Sequence, residues 1–240
     1  MADINYKNVN SGLMTKSARG QVPFVELNGE EISDSHFIIR KLTDLFKKDG
    51  MESHLDENQK SQAFVYERLI EDSLFWVTAR QLAPFASDFY GDAVFGKSLP
   101  TWAKLGRPIA VWSLGREFKT KLHTVGTDRY TDEEIQHFLE NDLTAISRLL
   151  GTKPYFMGDT PTTLDATAFG HLSQLYYLPL DLPAKAFMKK DCQNLIDFFE
   201  RIKTTYWPDW HECTSNLAMD TDWKSINLKG PAQAEEAKAD

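Results

Sequence analysis

Gln21-Val-Pro-Phe-Val-Glu-Leu-Asn-Gly-Glu-Glu-Ile-Ser-Asp-Ser35 encodes a β-hairpin and the start of a helix. Val22, Val25 and Leu27, with Phe24 more weakly, give the first half strand character. Asn28-Gly29 is a two-residue turn, because both positions of that turn need a positive φ that Asn and Gly tolerate. Glu30 to Ile32 is the short return strand. Ser33, Asp34 and Ser35 are the residue types that cap a helix N-terminus. Behind them, Ile38, Leu42, Leu45 and Phe46 fall on one face, so His36–Lys48 is predicted helical. Ahead of the hairpin, Ile4–Val9 reads as one further strand.

From about Met51 onward the pattern is helical. Asp56 and Gln59 form an N-cap pair before a long helix over Glu57–Leu82, which Pro84 stops. Phe85–Leu99 reads as a loop. Pro100 opens another helix, which Pro108 is expected to end or kink and which runs on to about His123, and Gly126 breaks the pattern. Thr131 and Glu134 form a capping box for a helix reaching Leu150, with Gly151 just past its end. Thr162 and Asp165 form a second box, a structural cap, for a helix over Leu164–Tyr177. Apart from His171 and Gln174 that helix looks buried nearly all round. Pro179 and Pro183 read as a bend, and Cys192–Tyr206 as a last amphipathic helix. Past about Thr214 the chain turns polar, and Pro231–Asp240 is expected to be disordered. The division that follows is 1–50 for the mixed part, 51–214 for the helical part and 215–240 for the tail.

Composition removes several functions. The 240 residues carry a formal net charge of −8, which repels phosphate backbones and argues against nucleic acid. Cys192 and Cys213 are too few for a disulfide framework and fit a reducing, cytoplasmic setting. No apolar run approaches the roughly 18 to 20 residues of a membrane span. Met1–Asn10 lacks the basic and apolar regions of a secretory signal. His211-Glu212-Cys213 offers too few donors without a second cluster, so no metal is expected.

A hairpin-plus-helix unit followed by an all-helical part suggests few families. Val22-Pro23 ahead of a strand, Asp34-Ser35 at a helix start and Thr162-x-x-Asp165 at a buried helix resemble, in that order, the glutathione-transferase superfamily. Residues 21–35, Phe156-Met-Gly-Asp-Thr-Pro-Thr-Thr-Leu-Asp-Ala-Thr-Ala-Phe-Gly-His171 and Thr204-Thr-Tyr-Trp-Pro-Asp-Trp210 resemble the failed axon connections group, relatives of the metaxins and of cadmium-responsive nematode proteins. The resemblance covers about residues 1–214. It implies a fold between α+β and mostly α: a thioredoxin-like N-terminal part followed by an all-α C-terminal domain. In that superfamily a strand, a helix and a second strand precede the Val-Pro element. Here about 22 residues precede Pro23, whereas a βαβ unit needs ~30. The expectation is a truncated thioredoxin-like part, without its first strand and helix.

The resemblance also implies a site. Val22 and Pro23 would pair with the cysteinyl backbone of glutathione. Asp34 and Ser35 would hold its γ-glutamyl end, the carboxylate accepting from the ammonium while the hydroxyl and helix amides donate to the carboxylate. Their alternative role is structural, with Pro23 shaping a turn and Asp34 or Ser35 capping a helix. Tyr6 and Ser11 stand in the wrong place for the family's catalytic role. The two cysteines read as small buried hydrophobes, so no catalytic residue is assigned. Arg116 and Arg129 suit either the cleft between the two parts or a solvated surface. Trp207, Pro208 and Trp210 read as packing the C-terminal segment onto the core.

The reading is a non-catalytic protein with a protein-interaction role in axon development, as the resemblance implies. It needs no cofactor, with glutathione as an optional ligand, and it has a protein partner or a second copy as companion. Two alternatives stand beside it. One is a glutathione-dependent transferase of stress or cadmium response. The other is a metaxin-like, peripherally membrane-associated component of a transport complex.

Overall fold

The N-terminal hairpin closes because Asn28 and Gly29 take φ of 52° and 84°, the signs the turn demands. Strand β1 (Phe24–Leu27) pairs antiparallel with β2 (Glu30–Ser33), Phe24 opposite Ser33 and Leu27 opposite Glu30. Helix α1 (Ser35–Leu45) follows directly. Lys41 on α1 forms an ion pair with Glu30 at the turn, and Glu31 accepts from the Ala18 amide at 2.7 Å. These contacts belong to a computed structural model that describes residues 1, 2, 4, 6, 17–20, 23–48, 51–85, 101–208 and 210–215; the side chains of residues 101–107, 110, 212, 213 and 215 lie outside the description. Val22, Ser11, the Phe85–Leu99 loop beyond Phe85, and the C-terminal tail fall outside it too. So does most of Ile4–Val9, of which Ile4 and Tyr6 are described and are not in a strand.

The helical part contains α2 (Glu57–Arg68), α3 (Phe75–Leu82), α4 (Thr101–Val125), α5 (Asp132–Leu150), α6 (Thr163–Tyr177), α7 (Pro183–Asp191), α8 (Gln193–Tyr206) and the short α9 (Trp210–Ser215). The N-termini of α2 and α5 carry reciprocal capping boxes. Gln59 N donates to Asp56 at 2.8 Å while Asp56 N donates to Gln59 at 3.0 Å; Thr131 and Glu134 exchange the same pair of bonds. Each box satisfies two amides that a helix start would otherwise leave unpaired. Gly151 ends α5 at φ 56°.

The core forms where α5, α6 and α8 pack with the α2–α3 rod. Ile135, Leu139, Leu143, Ile146, Leu149 and Leu150 are all buried along α5, and Phe156 meets Phe198 edge to face at 5.1 Å. Side chains of this size each contribute roughly 1.5–3 kcal/mol on burial, so the helical part carries most of the fold's stability.

The structure departs from the sequence reading in three places. Leu69–Leu74 between α2 and α3 is a π-helical segment rather than α; Ile70 and Leu74 are fully buried there and Ser73 donates to Asp142 on α5 at 2.7 Å. Pro108 lies inside α4, which runs on past it to Val125, close to the expected end near His123. Proline removes one helical N–H, but Pro108 is exposed, where water can take the carbonyl it leaves. Pro179 lies in the expected bend, over residues 178–180, while Pro183 beyond it opens α7 from its first position, a place where its missing N–H costs nothing. Helix α9 follows Trp207 and Pro208, where packing of Trp210 against Tyr177 and Phe169 stabilises a turn too short to persist alone.

Candidate functional site

The hairpin register determines which candidate residues meet. Because Phe24 pairs with Ser33, the preceding Pro23 and the following Asp34 stand at the same end of the hairpin, with Ser35 at the first position of α1. Pro23 and Ser35 are exposed. Asp34 is the N-cap, its Oδ1 accepting from the His36 amide at 3.0 Å. Its backbone sits at φ 77°, ψ 126°, a region a Cβ-bearing residue enters only at a cost of order 1–3 kcal/mol. The chain therefore stores strain at the residue that caps α1. That start brings the Asp34 carboxylate and the exposed Ser35 side by side at the hairpin's end.

A groove of about 580 Å³ runs from the next residue of α1 into the helical part. His36, Ile39, Arg40 and Thr43 of α1 form one wall; Lys60, Ala63, Phe64 and Glu67 of α2 and Thr163 and Thr167 of α6 form the other. Glu67 is the buried charge in it, 9% exposed, with Thr167 donating weakly to it at 3.4 Å. Burial pushes its carboxyl above the ordinary range, the charge of Glu52 adds to that, and His36 opposes it. The sequence carries one sign of this residue: Ala63, Glu67, Ile70 and Leu74 share helical spacing, so an acid interrupts an apolar face. His36 and Thr167 give no such sign, because only the approach of α1 to α2 and α6 makes them neighbours of Glu67.

The remaining candidates lie apart. Thr162 and Asp165 are fully buried at the start of α6. The Thr162 amide and hydroxyl donate to Asp165 Oδ2 at 2.7 and 2.8 Å, and the Phe156 amide donates to Oδ1 at 2.8 Å. Burial pushes this carboxyl up while the three donors pull it down. Cys192 is buried, and burial raises its thiol pKa, which disfavours the nucleophilic thiolate. Arg116 lies over the Trp112 ring at 5.5 Å, and Arg129 packs near Gly126; neither lines the groove beside α1. Tyr6 is 78% exposed. Among the described residues no group of three or more His, Cys, Asp or Glu side chains is placed to hold a metal, and no helix is long and apolar enough to cross a membrane.

Comparison with known proteins matches both halves of this architecture. Residues 1–88 match the glutathione S-transferase N-terminal domain family and residues 139–202 the glutathione S-transferase C-terminal domain family. The chain is 33% identical to Failed axon connections of Drosophila melanogaster over 91% of its own length and 54% of that protein's, so it spans about half of that relative. It is 28% identical to Metaxin-2 of Mus musculus, over 81% of this chain and 73% of the relative. It is 26% identical to the isoprene-epoxide glutathione S-transferase of a Rhodococcus species, over 79% of each.

Proposed function

From the premise that the chain belongs to the metaxin-related, glutathione-transferase-like superfamily, in the group of Failed axon connections, we propose that it acts by binding another protein rather than by catalysis. One observation carries this reading. Within the described part of the hairpin–helix unit, Ile32 alone is buried, and α1 buries no residue at all. Phe37, Leu45 and Phe46 are 49%, 55% and 44% exposed. A layer with so little buried surface is poorly stabilised by itself, and exposed apolar side chains of this size suit a partner's surface. The relatives support a complex-forming role, and a part in axon development follows the printed name of Failed axon connections alone. The raised thiol pKa and burial of Cys192, and the use of Asp34 to cap its own helix, are consistent with a chain that does not activate thiols.

A second reading has its own observation. The strained Asp34 and the exposed Ser35 form a cradle of the polarity a γ-glutamyl group needs, and the Rhodococcus transferase supports glutathione as its ligand. Calorimetric titration with glutathione, paired with a conjugation assay on a generic electrophile, separates the two. The first reading expects no binding tighter than millimolar and no conjugation. Tighter binding that Asp34→Ala and Ser35→Ala abolish, with turnover, would replace it by the second.

A further inference from the structure

Helix α4 packs chiefly against α3 and the short turns Ala83–Phe85 and Thr127–Arg129. Leu122, 2% exposed, marks its inner side, with Val111, Leu114 and Phe118 half-buried along it. Ile109, Trp112, Arg116 and Lys119 are exposed, and at 3.6 residues per turn they lie within about 80° of one another, turned away from that inner side. Ile109 and Trp112 protrude, 71% and 63% exposed, and Arg116 lies over the Trp112 ring at 5.5 Å. Beside these residues a recess of about 1110 Å³ opens between α4 and the end of α3. Arg80, Arg116 and Lys119 bring cations to it, while Pro84 and Trp112 give it an apolar wall. Asp128, the acid in the recess, is held by His123 at 3.0 Å. Residues 101–125 carry five Lys and Arg against one acid, Glu117, in a chain of net charge −8, and Glu117 is itself paired with Lys121 at 2.8 Å.

We propose that this flank of α4 docks on the surface of an anionic phospholipid bilayer. Ile109 and the Trp112 ring enter the interfacial layer, where an amphipathic indole is favoured. Arg116 and Lys119 stay at phosphate level on flexible apolar stems, and the recess between them and Arg80 receives a headgroup phosphate. Charge selects this occupant. The excess of Lys and Arg on α4 repels a second copy of the same helix and attracts an anionic surface. The acidic remainder of the chain is repelled by that surface, so contact is confined to this helix. Shape agrees with charge. Protruding side chains enter a fluid interface without a matching pocket, whereas a folded partner must supply one. The site uses no residue of the hairpin–helix unit, so it stands or falls independently of the protein-binding and glutathione readings.

Flotation of the full chain tests it, with vesicles of phosphatidylcholine alone and of equal parts phosphatidylcholine and phosphatidylserine. The expected result is binding to the anionic vesicles only, released by high salt. Arg116→Gln and Lys119→Gln should each weaken it roughly fivefold, and Trp112→Ser should weaken it too, with unchanged far-UV spectra. The two Gln variants alter exposed side chains and keep the test open if Trp112→Ser unfolds. In a Cys213→Ser background, a nitrobenzoxadiazole label on Ile109→Cys should shift to the blue on anionic vesicles, and one on Lys121→Cys, off this flank, should not. No flotation, equal flotation with neutral vesicles, or flotation indifferent to all three variants overturns the proposal. Flotation abolished by soluble phosphoserine, without an Ile109→Cys shift, overturns it in favour of a free phosphate ligand. Arg116-dependent binding of polyglutamate, with no vesicle binding, overturns it in favour of an acidic protein.

Discussion

The carboxylate of Asp165 accepts the buried amide of Phe156, nine residues earlier, at 2.8 Å. The same side chain accepts the amide and hydroxyl of Thr162. One residue thus ties the loop entering α6, and through Phe156 and Phe198 the centre of the core, to the helix start. Removing it leaves two buried amides without an acceptor.

Asp165→Ala should therefore cost about 3 kcal/mol, since breaking a buried charged hydrogen-bond set is far more damaging than losing an exposed cap. For a chain of this size that is a fall in Tm on the order of 6–12 °C. Thermal unfolding followed by circular dichroism measures it, and a fall under about 2 °C would contradict this account of the loop.

Glu67 gives a pH dependence. Its folded pKa lies above the ordinary 4.5 because burial disfavours the charged form. The folded state therefore holds the proton more tightly than the unfolded chain. Its contribution is full below about 4.5 and is lost as pH rises through the folded value. Glu67→Gln should raise Tm at neutral pH by about 2–4 °C, equivalent to ~1 kcal/mol, and should flatten the loss of stability between pH 4.5 and neutrality. Tm against pH for the two proteins checks both; equal slopes would remove Glu67 from the explanation.

Asp34 should respond differently to two small substitutions. Alanine loses the cap to His36 and keeps the strained φ, so Asp34→Ala is expected to destabilise by about 1 kcal/mol. Glycine is permitted at φ 77° and serves as a fair cap. Asp34→Gly should thus stabilise by about 0.5–1 kcal/mol through released strain. Urea unfolding of both variants decides this, and equal losses would show that the backbone there is unstrained.

Cys192 should be inert in the native protein. Burial raises its thiol pKa, and the Sγ lies 3.9 Å from the Leu143 carbonyl oxygen, a weak contact. Labelling with iodoacetamide, located by mass spectrometry, should mark Cys192 only after denaturant is added. Rapid native labelling would mean the helical part opens around α8.

Much of the architecture was readable because its causes are local. Asn28-Gly29 dictates its turn, and Asp56, Thr131 and Thr162 announce helices through partners three residues away. The apolar period of α5 exposes its buried face in the same way. Val22, by contrast, lies outside the described residues, so the backbone pairing expected ahead of Pro23 is an expectation still. The π-helical turn at Leu69–Leu74 and the helix begun by Pro183 were not readable, because tertiary packing decides how a local irregularity or breaker is tolerated.

The amino-acid order alone determined the hairpin, the caps and most of the helices, since each rests on hydrogen bonds or spacings spanning a few residues. Tertiary structure alone decided that Glu67 would face His36 and Thr167 across a groove, that Asp165 would hold a distant amide, and that one face of α4 would be left outward. Those relationships join residues far apart in the chain, and a local pattern carries no term for the distance between them until the helices pack.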